Sequence, residues 1–193
     1  MSYLNIIEAF KNACIAISLS LKEGNTNELS NKIGYINKSG DYSNNIDLHS
    51  NEIIKKELIK CTNIWGIASE EDEGIISRFS DDKDCQYFVS FDPLDGSSNV
   101  DCNISVGTIF CIFKSKEGEY PKSGKDIVCA GYCLYSQCTQ FVVADEENVK
   151  MYTLHPHIKS FNNEEIIKMP ERGCLYSINE SNKYKWDNIS NAD

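Results

Sequence analysis

The stretch "CQYFVSFDPLDGSSNVD", Cys85 to Asp101, joins two kinds of grammar. Apart from Gln86, its first seven residues are aromatic, β-branched or small, and they read as a strand that stops where Asp92-Pro93 begins. From Phe91 to Asp101 the chain then places Asp92, Asp95 and Asp101 around Pro93 and Gly96. A simple reversal needs one Asp and one Gly. The additional carboxylates ask for a cation, a phosphate, or both. Pro93 fixes φ at about −65° and stiffens the segment. Asp92 and Asp95 can turn oxygens toward one point, and the Leu94 carbonyl between them offers another. Hard cations such as Mg²⁺ and Mn²⁺ favour such all-oxygen sets. Gly96 permits positive φ and close backbone approach. Ser97, Ser98 and Asn99 then supply N–H and hydroxyl groups suited to a phosphate. Taken alone, "DPLDG" fits an Asx-rich turn equally well.

A second apolar run weakens that plain reading. "NIWGIAS", residues 63–69, delivers Glu70, Glu71, Asp72 and Glu73. Strands that feed acids into their C-terminal turns match the usual placement of sites in layered α/β folds. Several acids crowded without a cation repel and raise their own pKa values. Asp41 and Asp47, in "SGDYSNNIDLHSNE", form a third acidic element. Beside the other two they become candidate positioners of a nucleophilic water.

Elsewhere the pattern is helix first, strands later. Apolar residues at Leu4, Ile7, Phe10, Ala13, Cys14, Ile17 and Leu21 predict an amphipathic helix over 3–23, stopped by Gly24. A polar connection follows. A second helix is predicted from Ser50 to Lys60, capped by Ser50 or Asn51. Further strands are read in residues 103–114, 126–136, 137–145 and 149–156, with another expected in "RGCLYSIN", 172–179. The fold class implied is α/β, an α+β layered sandwich with helices packed on one large mixed, largely antiparallel sheet. Residues 1–182 read as one domain and 183–193 as a frayed tail.

The formal net charge is −10, which argues against a nucleic-acid partner. No stretch reads as a membrane span, and Glu8 and Lys11 interrupt the first apolar run, so neither a membrane partner nor a signal peptide is expected. The expectation is a cytoplasmic protein. The nine cysteines include no C-x-x-C pair and sit mostly in apolar runs, so they read as reduced, buried thiols. His155 and His157, in "LHPH", read as an exposed turn.

The ordered set Asp…Glu-Glu…Asp-Pro-Leu-Asp-Gly-Ser resembles the metal signature of the lithium-sensitive, magnesium-dependent sugar phosphatase superfamily. Within it, "SGDYSNNIDLHSNE", "ASEED", "FDPLDGSSNVDCNISVGTIFCIF", "AGYCLYS" and "YSINE" resemble the fructose-1,6-bisphosphatase family of class 1. That resemblance implies Mg²⁺-dependent (or Mn²⁺-dependent) removal of the 1-phosphate of fructose 1,6-bisphosphate, a step of gluconeogenesis, with two to three ions in a complete site. It implies Glu70, Asp92, Asp95 and the Leu94 carbonyl as metal ligands. Glu71 and Asp41 are implied as the pair acting on the attacking water, with Asp47 steering the loop that carries Asp41. Asp95, Gly96, Ser97 and Ser98 are implied as the clamp on the 1-phosphate, and Asn179 as a contact to the distal phosphate. Sedoheptulose-1,7-bisphosphatase is the neighbouring reading, and a non-catalytic metal-binding or oligomerising remnant is the alternative of another class. The family's chains run longer, so the part that grips the sugar is expected to be absent here, with weak or no turnover by this chain alone. Self-association through an exposed sheet face is expected for the same reason. Of the family's AMP site only Tyr87 is matched, with Gln86 beside it where a lysine is expected.

Overall fold

Two long helices and one large sheet carry the fold in the computed structural model, which describes residues 2–23, 32–36, 42–77, 86–116 and 119–175. Helix α1 is Leu4–Glu23 and α2 is Asn45–Leu58. Strands β1 (Lys32–Ile36) and β2 (Tyr42–Asn44) form an antiparallel pair of their own. The main sheet contains β3 (Ile64–Ser69), β4 (Ile75–Ser77), β5 (Tyr87–Asp95), β6 (Val106–Lys114), β7 (Ile127–Tyr135), β8 (Gln140–Ala144), β9 (Val149–His155) and β10 (Ser160–Ile167). Its order is β10-β9-β8-β7-β6-β5-β3-β4. From β5 to β10 it is an antiparallel meander. β3 and β5 pair in parallel, with Ser69 beside Phe91.

α1 forms where the apolar period predicts it. Ile6, Phe10, Ala13, Cys14 and Ile17 make a buried stripe against the sheet. By length and mean hydropathy (1.3 over Leu4–Lys22) this helix does reach the range of a membrane span, contrary to the sequence reading. In the fold its apolar stripe is the floor of the core. Phe10 stacks on Phe110 of β6, with centroids 4.1 Å apart, and Phe110 stacks on Phe141 of β8 at 5.6 Å. Aromatic pairs of this kind add to the large apolar area each ring removes from water.

α2 starts at Asn45, earlier than the predicted Ser50, and ends at Leu58. Ser50 and Asn51 are buried inside it and cap nothing. Its core-facing stripe mixes Ile46, Ile54 and Leu58 with Asp47, Ser50 and Asn51, so polar residues hide the helical period. Asp47 in the first turn complements the positive end of the helix dipole.

β5 also departs from its prediction. The strand does not stop at Phe91 but continues through "DPLD" to Asp95, with a register irregularity between Asp92 and Asp95. Bulged pairing tolerates a proline that a regular central strand would not. β1, β2, β4 and β10 were not read from the sequence, and 171–175 is not a strand. The thiol reading holds only in part. Cys14, Cys61, Cys129 and Cys133 are buried, while Cys102, Cys138 and Cys174 are exposed. His155 and His157 are exposed, as expected. Tyr87 is buried on β5 against Tyr3.

One sheet face lies under the two helices. The opposite face carries a small cluster of Trp65 and Phe88, with Ala68 and Phe113 against it. Beyond that cluster it is open, with Ile109 47% and Tyr132 46% exposed at its centre. An open trough of about 730 Å³ runs along it past Cys111, Ala130 and Val142. Exposed apolar area of this kind favours association. The isolated 193-residue chain is therefore expected to self-associate in sedimentation velocity as its concentration rises. A single monomer boundary across the range would contradict this.

Candidate functional site

The parallel pairing of β3 with β5 brings the two acidic strand ends together. Ser69, the last residue of β3, stands beside Phe91 in the register, so Glu70 leaves β3 next to Asp92, which is still paired with Ile109 of β6. Glu70 N–H donates to the Phe91 carbonyl at 3.2 Å, which ties the two strand ends at this level. The carboxyl of Asp92 hydrogen-bonds with Glu70. Burial, and then the hydrogen bond and charge of Glu70, push the Asp92 pKa up to about 8. Asp95 adds to that repulsion from nearby. Asp92 Oδ1 also accepts the Leu94 N–H at 3.0 Å, an Asx-type bond that orients the bulge.

The rear of the bulge is fixed from below. Thr108 Oγ1 lies 2.8 Å from the Pro93 carbonyl and donates to it. The same Oγ1 is 2.8 Å from the Tyr135 hydroxyl, with which it shares a second bond. Thr108 and Tyr135 are both buried, and burial raises the Tyr135 pKa well above the usual tyrosine value. The neutral phenol can then donate to Thr108 while Thr108 donates to Pro93. This support was not found from the sequence. A threonine and a tyrosine on strands β6 and β7 read there as ordinary strand residues.

The remaining site residues are placed as follows. Glu71 is buried, and its N–H donates to Ser69 Oγ at 3.3 Å. Leu94 is buried and Asp95 exposed. Gly96 has φ 75°, the left-handed region, and opens the short 3-10 helix Ser97–Cys102. A side chain at Gly96 would be strained there. Asn99 N–H closes the turn on the Gly96 carbonyl at 2.8 Å. Asp47 is 4% exposed in α2, so it belongs to a helix and not to a loop. Asp41 and Asn179 lie outside the described residues. Among the described residues, no three His, Cys, Asp or Glu side chains converge closely enough to hold a metal ion. Glu70 and Asp92 are two carboxyl groups that do meet.

The trough along the open face begins at Glu70 and Asp92 and then becomes apolar, past Ile109, Tyr132 and Val142. Its apolar length is a poor match for a sugar phosphate. The carboxylates that line it are Glu70 and Asp92.

Residues 2–165 match the family model described as the N-terminal domain of fructose-1-6-bisphosphatase. The chain belongs to the fructose-1,6-bisphosphatase family. It is 35% identical over 191 residues to the cytosolic fructose-1,6-bisphosphatase of Brassica napus, covering 95% of this chain and 55% of that protein. It is 34% identical to the class 1 fructose-1,6-bisphosphatase of Persephonella marina, covering 92% of this chain and 56% of that one. The holo crystal structure of the Leishmania major fructose-1,6-bisphosphatase superposes with a TM-score of 0.86 at 30% identity, over 96% of this chain and 61% of that one. The chain thus spans about half the length of the curated fructose-1,6-bisphosphatases it matches. The eight-stranded mixed sheet with helices layered on it is the fold of this family.

Proposed function

We propose that this chain carries the metal- and phosphate-binding part of a divalent-metal-dependent sugar bisphosphatase acting on the 1-phosphate of fructose 1,6-bisphosphate. The observation that carries this is the Glu70–Asp92 carboxyl pair, Glu70 just past the end of β3 and Asp92 in the irregular last part of the parallel strand β5, shortly before the Gly96 turn. Two carboxyl groups that must share a proton are a poor arrangement in themselves. A hard divalent ion in place of that proton would relieve the repulsion, and the donors are all oxygen. Glu70, Asp92, Asp95 and the Leu94 carbonyl would hold it. Bound there, Mg²⁺ or Mn²⁺ would neutralise phosphate charge and lower the pKa of water.

The chain's own residues have separate tasks under this reading. Glu71, with Asp41, orients a water toward phosphorus and accepts its proton as the P–O bond to the sugar breaks. The water oxygen becomes a phosphate oxygen, and the sugar alkoxide leaves to be protonated. Asp95, Gly96, Ser97 and Ser98 hold the phosphate. Asp47 supports this group from the start of α2, and Asn179 meets the distal phosphate. Residues 1–182 act as the unit, in the cytoplasm, in agreement with the relatives named cytosolic. Association through the open sheet face supplies an oligomer.

The test is phosphate release by the purified chain with Mg²⁺ or Mn²⁺, from fructose 1,6-bisphosphate and from sedoheptulose 1,7-bisphosphate in parallel. Release from the first in preference to the second is expected. Preference for the second would move the assignment to the neighbouring enzyme. Metal binding without release from either would select the non-catalytic alternative.

A further inference from the structure

The turn after β3 presents four consecutive acids, Glu70, Glu71, Asp72 and Glu73, and two of them are wanted at the carboxylate site. Asp72 is held away from it. Asn51 Nδ2 donates to Asp72 Oδ1 at 3.2 Å, and Lys55 Nζ reaches the same oxygen at 3.1 Å. Lys55 also pairs with Glu52 at 2.6 Å, which fixes its ammonium on the α2 surface. Asn51 is 2% exposed. On the strand side the same turn is tied by Asp72 N–H to the Ser69 carbonyl, by Glu71 N–H to Ser69 Oγ, and by Glu70 N–H to the Phe91 carbonyl. The segment 69–72 is thus pinned at both ends, to the sheet through Ser69 and Glu70 and to α2 through Asp72.

We propose that Asn51 and Lys55 are positioning residues for the metal site, acting through Asp72 to hold the Glu70–Glu71 turn in register with Asp92. The proposal rests on the metal-site reading above and names residues outside its motif. Buried acids next to one another drift toward water when nothing holds them. Asp72 Oδ2 and Asn51 Oδ1 are already buried with no hydrogen-bond partner among the described residues. Loss of the Asn51–Asp72 bond or of the Lys55 ion pair would leave Asp72 poorly compensated, and the turn would relax outward. Glu70 would move with it, being two residues away on the same turn. Groups that orient metal ligands from outside the ligand set commonly change affinity about 10–100-fold when removed.

A simple charge effect predicts the opposite sign. Removal of a lysine near a cation site strengthens cation binding, whereas loss of a positioning contact weakens it. Mn²⁺ titrations of the 193-residue chain, read by the electron spin resonance of free Mn²⁺, separate the two. Lys55→Met and Asn51→Ala are each expected to raise the Mn²⁺ Kd about tenfold, and Lys55→Arg to restore it to near the parent value. Melting temperature in EDTA is expected to fall by a few degrees in Lys55→Met, because Lys55 and Asp72 are both largely covered, and to return in Lys55→Arg along with Mn²⁺ binding. Unchanged or tighter Mn²⁺ binding in Lys55→Met, with binding by the parent intact, would overturn the positioning role alone. Lys55→Arg as weak as Lys55→Met would do the same. A parent chain that binds no Mn²⁺ would overturn the metal-site reading and this inference with it.

Discussion

Under the proposed metal-site reading, Asp92→Asn is expected to abolish divalent-metal binding and, at pH 8, to raise the stability of the metal-free chain. Both effects follow from one carboxyl group. Asp92 stands beside Glu70 in a partly buried position, and its pKa is pushed up to about 8 from an ordinary 3.8. A group whose folded pKa lies above its unfolded value favours the folded state most below the unfolded pKa. That contribution is lost as pH rises through the folded pKa. Metal-free stability should therefore decline from about pH 4 to about pH 8. Asparagine keeps the shape, can still accept the Leu94 N–H, and carries no charge to repel Glu70. The variant should melt higher than the parent in EDTA at pH 8, by about 1 kcal/mol or a few degrees. At pH 5 the difference should shrink. Its Mn²⁺ Kd should rise by more than about 100-fold, beyond the range of outer-shell changes. Thermal melts in EDTA at the two pH values, with Mn²⁺ titrations, check the pair of effects. Equal melting of parent and variant at pH 8 would show that Asp92 is not strained in the metal-free fold.

Phe110→Ala and Gly131→Ala are expected to be the most destabilising substitutions, and to be strongly coupled. Phe110 lies at the centre of the core between Phe10 and Phe141. Its removal leaves a cavity that costs about 3–5 kcal/mol. Gly131 faces the same ring across β6 and β7. A Cβ there would lie 2.5 Å from Phe110 Cζ and 2.6 Å from the Val142 carbonyl oxygen. Neither a core ring nor a sheet carbonyl can yield cheaply, so Gly131→Ala should cost about 3 kcal/mol by overpacking. In a Phe110→Ala background the ring clash is gone and only the carbonyl clash remains. The double variant should then lose at least about 1 kcal/mol less than the sum of the single ones. Urea unfolding of the four proteins measures this coupling, and strict additivity would contradict the close approach.

The sequence made some of this legible because the signals were local. Tyr87–Phe91 alternates toward the core, and "DPLDG" follows without interruption, so the strand and its acids were read together. α1 was read because its stripe is purely apolar. α2 began earlier than expected because Asp47, Ser50 and Asn51 occupy its buried face. Strand β10 was missed because "SFNNEEII" looks polar, and as an edge strand most of it faces water. The site follows the same division. Glu70 and Asp92 announced themselves by position at strand ends. Thr108, Tyr135, Asn51 and Lys55 did not, because their roles depend on partners on other elements. A hydroxyl under a proline carbonyl has no local signature.

The parallel pairing of β3 with β5 has a consequence for the order of assembly. Strands β5 to β10 can zip as neighbouring hairpins, each closing a modest loop. The β3–β5 pair needs residues 64 and 87 brought together across an intervening segment, a contact of longer range. Glu70 and Asp92 meet only when that contact is made. Carboxylate repulsion therefore opposes the same docking step that brings them together, and under the metal-site reading a divalent cation in the medium would favour it. The amides of β3 are the place where hydrogen exchange would register this, slowing with added Mn²⁺ while the meander keeps its own rate. A bound ion would then act as a clasp on the least local seam of the sheet, tying the timing of folding to the occupancy of the site.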